Sequence, residues 1–335
     1  MARIDDVAKA AGVSKGTVSS VFSRKRPISR EVTERVLEVA RELGYYPNHL
    51  ARSLAIRKTM IAGLKMPLSK DGALSGFEIQ MINGVTKELS KEGYRVLLDT
   101  LPEDDDPVSF SIDPVDGVIL MNPTKEDRRI ARLTQMGIPL VLVGRPDPLD
   151  STISYVDNDN ERLAYEVGLH LLEQGHTKVL FLNASQGMTV AADRESGLMR
   201  AFAERGVPFN RELVLHYSRA VHSNSTDYGR MALHEAYSGL DFTAVIADTD
   251  RVALGVYHAA RQLGLSIPER LSVIALSNDA RLAQEMAPKL TTVDLFGEAL
   301  GMEAAGLLVQ LMKGTGAVER RILDARLIVR DSSRN

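Results

Sequence analysis

Ile4 to Ser29 reads IDDVAKAAGVSKGTVSSVFSRKRPIS, a short, glycine-punctuated stretch that ends in a basic run, Arg24-Lys25-Arg26. Ile4, Val7, Ala8 and Ala11 fall on one helical face, with Asp5 and Asp6 near the positive end of the helix dipole. Gly12 can take a positive φ and end that helix, while Val13 packs inward at the turn. Ser14 then reads as the N-cap of a second helix, KGTVSSVFS, which buries Val18 and Val21. So short a turn leaves room only for two helices docked at a steep angle. Ser29 predicts the N-cap of a third helix, with Val32, Val36, Leu37, Ala40 and Leu43 as its apolar stripe and Gly44 as its stop before Tyr45-Tyr46-Pro47. The three together read as a helix-turn-helix whose second helix is shaped to enter a major groove.

Charge supports that reading. The 335-residue chain has a formal charge of -3, yet residues 1–60 carry 12 Lys or Arg against 6 Asp or Glu, and the remainder 29 against 38. A basic head on an acidic body is suited to a polyanion. With no cysteine there is no disulfide framework, thiolate nucleophile or Cys-ligated metal. No apolar leader or run of 18 apolar residues is evident, so a soluble, cytoplasmic protein is expected.

From Thr59 onward, apolar runs such as MIAGLKMP, YRVLLDT, VDGVILMN, IPLVLVG, HTKVLFLNA, FTAVIADT and LSVIALS alternate with amphipathic stretches. The stretches at 76–92, 161–174, 195–205 and 251–263 predict helices. Continuous apolar strands between crossover helices imply parallel sheets covered on both faces. A break near Val156 to Glu161 divides them into two similar α/β lobes with a ligand cleft between.

Enzyme signatures are missing. There is no G-x-G-x-x-G after the first strand, no P-loop and no H-E-x-x-H. GVSKG, Gly12 to Gly16, matches G-x-S-x-G but joins two helices, whereas a nucleophile elbow needs a strand before the serine. The histidines show no metal-site spacing, and Glu103 to Asp106 reads as a solvated acidic loop. No catalytic residue, metal site or cofactor is expected.

The stretch IDDVAKAAGVSKGTVSSVFSRKRPISREVTERVLEVARELGYYPNHLARSL resembles the head of the lactose/galactose repressor family of bacterial transcription regulators. The likeness continues through VDNDNERLAYEVGLHLLEQGHTKVLFL, ALGVYHAARQLGLSIPERLSVIAL, LTTVD and RLIVRDS. It implies an α/β chain with a small all-helical head at 1–46, a hinge helix and linker at 47–58, and a two-lobed, periplasmic-binding-protein-like body for effector binding and dimerisation at 59–335.

By the same resemblance, Lys15 and Gly16 open the recognition helix, Thr17 and Ser19 touch phosphates or base edges, and Ser20 sits one turn on, where Arg or His is common. Gly16 cannot read a base and costs the helix roughly 0.5–1 kcal/mol. Lys15 is then the best candidate for contacting guanine. Arg24, Lys25 and Arg26 could hold phosphates or form a solvated basic loop. In the hinge, Leu54 would wedge between central base pairs, with Ala51 giving close approach and Arg52 near phosphate. The bland alternative for this segment is a plain interdomain linker.

In the body the resemblance marks Arg194, in VAADRESG, as the effector-contacting arginine, and Asp250 as a cleft aspartate, with capping of the next helix as its alternative role. Phe77 can stack on an apolar ligand face, and Asn160 can line the cleft near the lobe crossover. Glu78 and Asn224 stand where rings are common in relatives, and Ser277 replaces an aspartate that commonly receives sugar hydroxyls. Such a pocket should prefer a strongly hydrogen-bonding ligand, a sugar or sugar derivative.

The implied function is a homodimeric, ligand-responsive repressor of carbohydrate metabolism genes that binds a pseudo-palindromic operator, with no membrane partner. The helix at 76–92 and residues after Ala244 are candidate dimer surfaces, and RLIVRDSSRN carries no heptad tail for a zipper tetramer. Control by a partner protein, and a sugar-processing enzyme with a DNA-binding head, are the alternatives.

Overall fold

Three helices, α1 (Ile4–Ala10), α2 (Lys15–Ser23) and α3 (Arg30–Glu42), build the first of two units, Met1–Thr59 and Met60–Asn335, into which the computed structural model divides. Residues 2–23, 26–45, 58–66, 74–100 and 115–333 are described. Gly12 and Gly44 take φ values of +64° and +59°, the left-handed turns that let the chain reverse after α1 and α3. Ser14 Oγ accepts from Thr17 N at 3.1 Å and Ser29 Oγ from Val32 N at 3.4 Å, so both serines cap as their positions predict. Val7, Ala8, Ala11, Val18, Val21, Val36 and Ala40 form the core. Arg35 Nε donates to Ala11 O at 3.1 Å, which ties α3 to the turn between the first two helices. Leu43 departs from the expected stripe: it is the α3 C-cap and 41% exposed, and half-buried Tyr45 closes that end of the core instead, its ring 5.8 Å from Phe22.

The second unit holds two six-stranded sheets. The first runs through β1 (Ile61–Lys65), α4 (Gly76–Lys91), β2 (Arg95–Asp99), β3 (Gly117–Met121), α5 (Arg128–Gln135), β4 (Leu140–Val143) and β5 (Ser154–Asn158). The second runs through α6 (Asn160–Glu173), β6 (Val179–Asn183), α7 (Thr189–Glu204), β7 (Val214–His216), α8 (Ser225–Tyr237), β8 (Ala244–Ala247), α9 (Asp250–Gln262), β9 (Ser272–Ala275), α10 (Ala280–Glu285) and β10 (Thr291–Asp294). The chain ends with α11 (Gly297–Lys313), β11 (Arg320–Leu323) and β12 (Arg326–Ile328). Strand orders are β11-β5-β4-β3-β1-β2, all parallel, and β12-β10-β9-β8-β6-β7, parallel except for β12. Strands such as β3 and β8, buried at every position, show why the apolar runs read as continuous: both faces are covered by helices.

A single break between the lobes is one crossing of three. The chain passes from the first sheet to the second after β5, returns after β10 so that α11 packs on α4 and the first sheet, and crosses again between β11 and β12. Short end strands with half-exposed faces carry no periodic signal that could reveal this return. Helix α7 starts at Thr189, six residues before the expected Glu195, because its first turn packs as Thr189 and Ala191 without a side-chain cap to announce it.

Three helix pairs, α4 with α11, α6 with α7 and α8 with α9, meet closely. A Cβ on Gly197 would stand 2.0 Å from Glu161 O, so α7 touches α6 backbone to backbone only because residue 197 has no side chain. Gly197→Ala should therefore cost at least the roughly 1–3 kcal/mol typical of overpacking, lowering the melting temperature by several degrees. An unchanged thermal transition would disprove the close approach.

Candidate functional site

In the helical unit, α2 presents Lys15, Gly16 and Ser19 to solvent, with Thr17 and Ser20 half-buried beside them and Arg26 exposed beyond its end. Arg24, Lys25, Ala51, Arg52 and Leu54 lie outside the described residues. Two of the expected readers already have partners. Thr17 Oγ1 shares a 2.9 Å hydrogen bond with Ser14 Oγ, and Lys15 Nζ forms an ion pair with the Asp5 carboxylate on α1. Both members of that pair are well exposed, so it contributes about 0–1 kcal/mol to stability. A polyanion that recruits Lys15 competes with Asp5 for it. A Cβ on Gly16 would meet only Ser14 Oγ, at 3.5 Å, so packing leaves that position open.

The second site is a cleft between the two sheets. It follows the rule that ligands of parallel α/β sheets sit beyond the carboxyl ends of the strands. Asn122 comes directly after β3, Gly144 after β4, Asp157 and Asn158 at the end of β5, Ala184 after β6, Asp248 after β8 and Ser277 just past β9. Asn122 takes a left-handed φ of +54°, a conformation asparagine tolerates better than most residues, in the wall of the cleft. Phe77, Met188, Leu276 and Leu295 supply apolar surface, and the cleft encloses about 150 Å³.

Five of the seven effector residues expected from sequence line this space: Phe77, Glu78, Asn160, Arg194 and Ser277. Arg194, 6% exposed on α7, donates from Nε to Asn160 Oδ1 at 3.2 Å and from Nη1 to Asp248 Oδ1. Glu78 completes a capping box, its Oε2 accepting from Ser75 N at 2.6 Å and Ser75 Oγ at 2.9 Å. Ser277 Oγ accepts from Asp250 N at 3.0 Å. The other two residues are not on the cleft wall. Asn224 caps α8, accepting from Asp227 N at 2.9 Å. Asp250 is fully buried and braces the β9 loop, its Oδ2 accepting from Asp279 N at 2.6 Å, while Thr249 rather than Asp250 caps α9.

Three polar groups escaped the sequence reading. Asp157 accepts from Arg145 N, Asn158 N and Asn160 Nδ2 at 3.1, 2.8 and 2.9 Å. Asp248 partners Arg194, and Asn122 shares the cleft wall with Thr189, whose N donates to Pro123 O. Asn122 and Asp248 stand immediately after the fully apolar strands β3 and β8, and Asp157 lies near the end of β5, a positional signal the sequence carries. Arg145, after β4, also reaches across the cleft to Asp193 on α7, Nε to Oδ2 at 2.7 Å, and Lys125 N donates to Gly187 O at 2.9 Å. These bonds hold the two lobes together.

Burial governs the electrostatics of the wall. It raises the Asp157 carboxyl from its ordinary 3.8 to about 7, against the hydrogen bonds that favour the anion. It raises Asp248 as well, with the Arg194 guanidinium opposing, and Glu78, with Ser75 opposing. Among the described residues no group of three or more His, Asp or Glu is placed to hold a metal ion, and no helix is long and apolar enough to cross a membrane.

This architecture has clear relatives. Residues 3–48 match the description "Bacterial regulatory proteins, lacI family", and residues 169–333 match a periplasmic binding protein-like domain. The transcriptional regulator CelR of Thermobifida fusca is 30% identical over 336 residues, covering 98% of this chain and 97% of its own. The chain belongs to the LacI family. It is therefore a DNA-binding transcription regulator, with α1 and α2 as its helix-turn-helix. A solved CelR-cellobiose complex superposes with a TM-score of 0.74 at 28% identity, covering 99% of this chain and 100% of that one. The lac repressor dimer bound to operator and the anti-inducer ONPF shares the fold, with a TM-score of 0.84 at 22% identity over 100% and 99% of the two chains.

Two outcomes follow from the geometry. Asp5→Asn should tighten binding to DNA of any sequence by a few-fold, roughly the worth of one exposed ion pair, while leaving stability within about 1 kcal/mol. Equal affinity for both proteins at fixed salt would contradict it. For Asp157, the folded protein holds the proton more tightly than the unfolded chain, so this group's stabilisation is full below about pH 3.8 and is lost as pH rises through about 7. Asp157→Asn is expected to lower absolute stability, because an amide cannot accept at both former oxygens, and to remove a pH dependence on the order of a few kcal/mol. Parallel melting curves from pH 4 to 8 for the two proteins would refute the assignment.

Proposed function

We propose that this regulator acts as a homodimeric, sugar-responsive repressor in the cytoplasm. The observation that carries this reading is the cleft itself: a buried arginine fork, Arg194, joins α7 to Asn160 and Asp248 in a polar space whose walls come from both lobes. The CelR-cellobiose complex, similar along the whole chain, supports a carbohydrate as the ligand class. A volume of about 150 Å³ suits a guest of one sugar ring rather than two. Two heads, each offering a single recognition helix, would read the halves of a pseudo-palindrome, with residues 47–58 as the hinge that Leu54 wedges into the minor groove.

The switch needs a ligand that distinguishes lobe arrangements, since equal affinity for both shifts nothing. A guest that rearranges cross-cleft bonds such as Arg145 to Asp193 would bind one lobe arrangement better than another and so supply that difference. The Ser75 hydroxyl and Glu78 carboxylate in the cleft are engaged in the α4 capping box, and a sensor should return its ligand unchanged.

The test is a titration of labelled pseudo-palindromic DNA, with and without sugars, for the wild type, Arg194→Ala and Arg194→Lys. Both variants should bind DNA in the absence of ligand and lose the sugar response. Arg194→Lys retains a charge opposite Asp248 should the alanine variant unfold, because breaking a buried pair costs about 3–5 kcal/mol. A normal sugar response in Arg194→Lys would overturn the role of the fork, and release of a converted sugar would overturn the sensor reading.

A further inference from the structure

We infer that the cleft selects a cationic guest: a monosaccharide bearing a protonated amine, an amino sugar. This deepens the sugar-responsive reading and rests on it. The argument is a charge inventory. Three carboxylates line the cleft, Glu78, Asp157 and Asp248, against one cation, Arg194. That cation is already engaged, since its guanidinium holds Asp248 and Asn160.

The neighbouring charges do not redress the balance. Arg145 is paired with Asp193 at the rim. Arg251, which faces Glu78, donates to Leu74 O at 3.0 Å and shares its surroundings with buried Asp250. His216 lies near Asp248, the carboxylate already paired with Arg194, and is hydrogen-bonded through Nδ1 to Ala184 O at 2.9 Å. Among the described residues neither Glu78 nor Asp157 has an ion-pair partner, and every donor to them is an uncharged amide or hydroxyl. Two carboxylates therefore line the cleft with hydrogen bonds but no ion pair of their own, although Arg194 lies near Asp157 and Arg251 near Glu78.

An anionic guest such as a sugar phosphate or uronate would add negative charge to a poorly solvated wall that already carries more acidic than basic groups, where like charges repel strongly. A neutral sugar can use the amides and hydroxyls but leaves both carboxylates as they are. An ammonium group supplies the missing charge and makes charge-assisted bonds about twice as strong as neutral ones. Burial disfavours the bare anion at Asp157 and Glu78, and an ammonium group beside them would offset part of that cost. Hydroxyls of the guest would meet Asn122, Asn158, Thr249 and Ser277.

The experiment is isothermal calorimetry at pH 7 on the full chain, using matched sets that differ only in charge: glucose, glucosamine and glucuronate, with the galactose and mannose sets alongside. In at least one set the amine should bind about tenfold or more tighter than the neutral sugar, and the acid should give no heat. Glu78→Gln, which can still close the capping box with Ser75, should shrink that preference severalfold, as should Asp157→Asn. A neutral or acidic member binding as tightly as its amine would overturn the inference and leave the sugar reading standing. Silence from every member of every set would remove both.

Discussion

One side chain ties together every passage of the chain between the lobes. The Asn158 amide nitrogen donates to Leu295 O and Leu323 O, each at 3.2 Å. Asn158 ends β5 at the first crossing, Leu295 follows β10 at the second, and Leu323 ends β11 at the third. A buried amide donor that lost these acceptors would be left unsatisfied, so the three strands hold a common geometry. The cleft depends on this, because the strand ends that bear Asp157, Asp248 and Ser277 converge only while the crossings are held in register.

The rest of the cleft is organised by what each burial requires. Arg194 is 6% exposed and so needs acceptors, which Asp248 and Asn160 provide. Asn160 is oriented in turn by Asp157, whose carboxylate receives its amide. Glu78, Asp157 and Asp248 thus belong to one polar lining anchored at its edges by backbone groups, a preorganised surface rather than a set of mobile side chains. Asp250 shows the opposite use of the same chemistry: it is wholly buried, its Oδ1 has no hydrogen-bond partner, and it serves the packing of the loop before α10.

Much of this was legible from sequence where a physical rule is local. Caps at Ser14 and Ser29, the stops at Gly12 and Gly44 and the apolar strands are written in adjacent residues. Arg194, Asn160, Phe77, Glu78 and Ser277 were found through resemblance, and the structure brings them together. Asp157 and Asp248 were passed over because each looks like an ordinary polar residue ending a strand, and only the facing of two sheets turns strand ends into a wall. Asn224 and Asp250 lie off the cleft wall for the complementary reason: a residue near a cleft in sequence can spend its side chain on a helix cap or a loop. The return of α11 to the first lobe is a property of topology, with no periodic trace in the chain.

Gly16 closes the argument at the other end of the molecule. The space around it is open, so nothing in the packing of the head requires glycine there. A side chain at that exposed position would project from the start of the recognition helix beside Lys15, and it would also strengthen the helix. The head is thus a partly blank reading frame: one codon change could add a base contact without disturbing the fold. A change at Gly16 would alter the DNA-facing surface while leaving the interlocked lining of the cleft untouched.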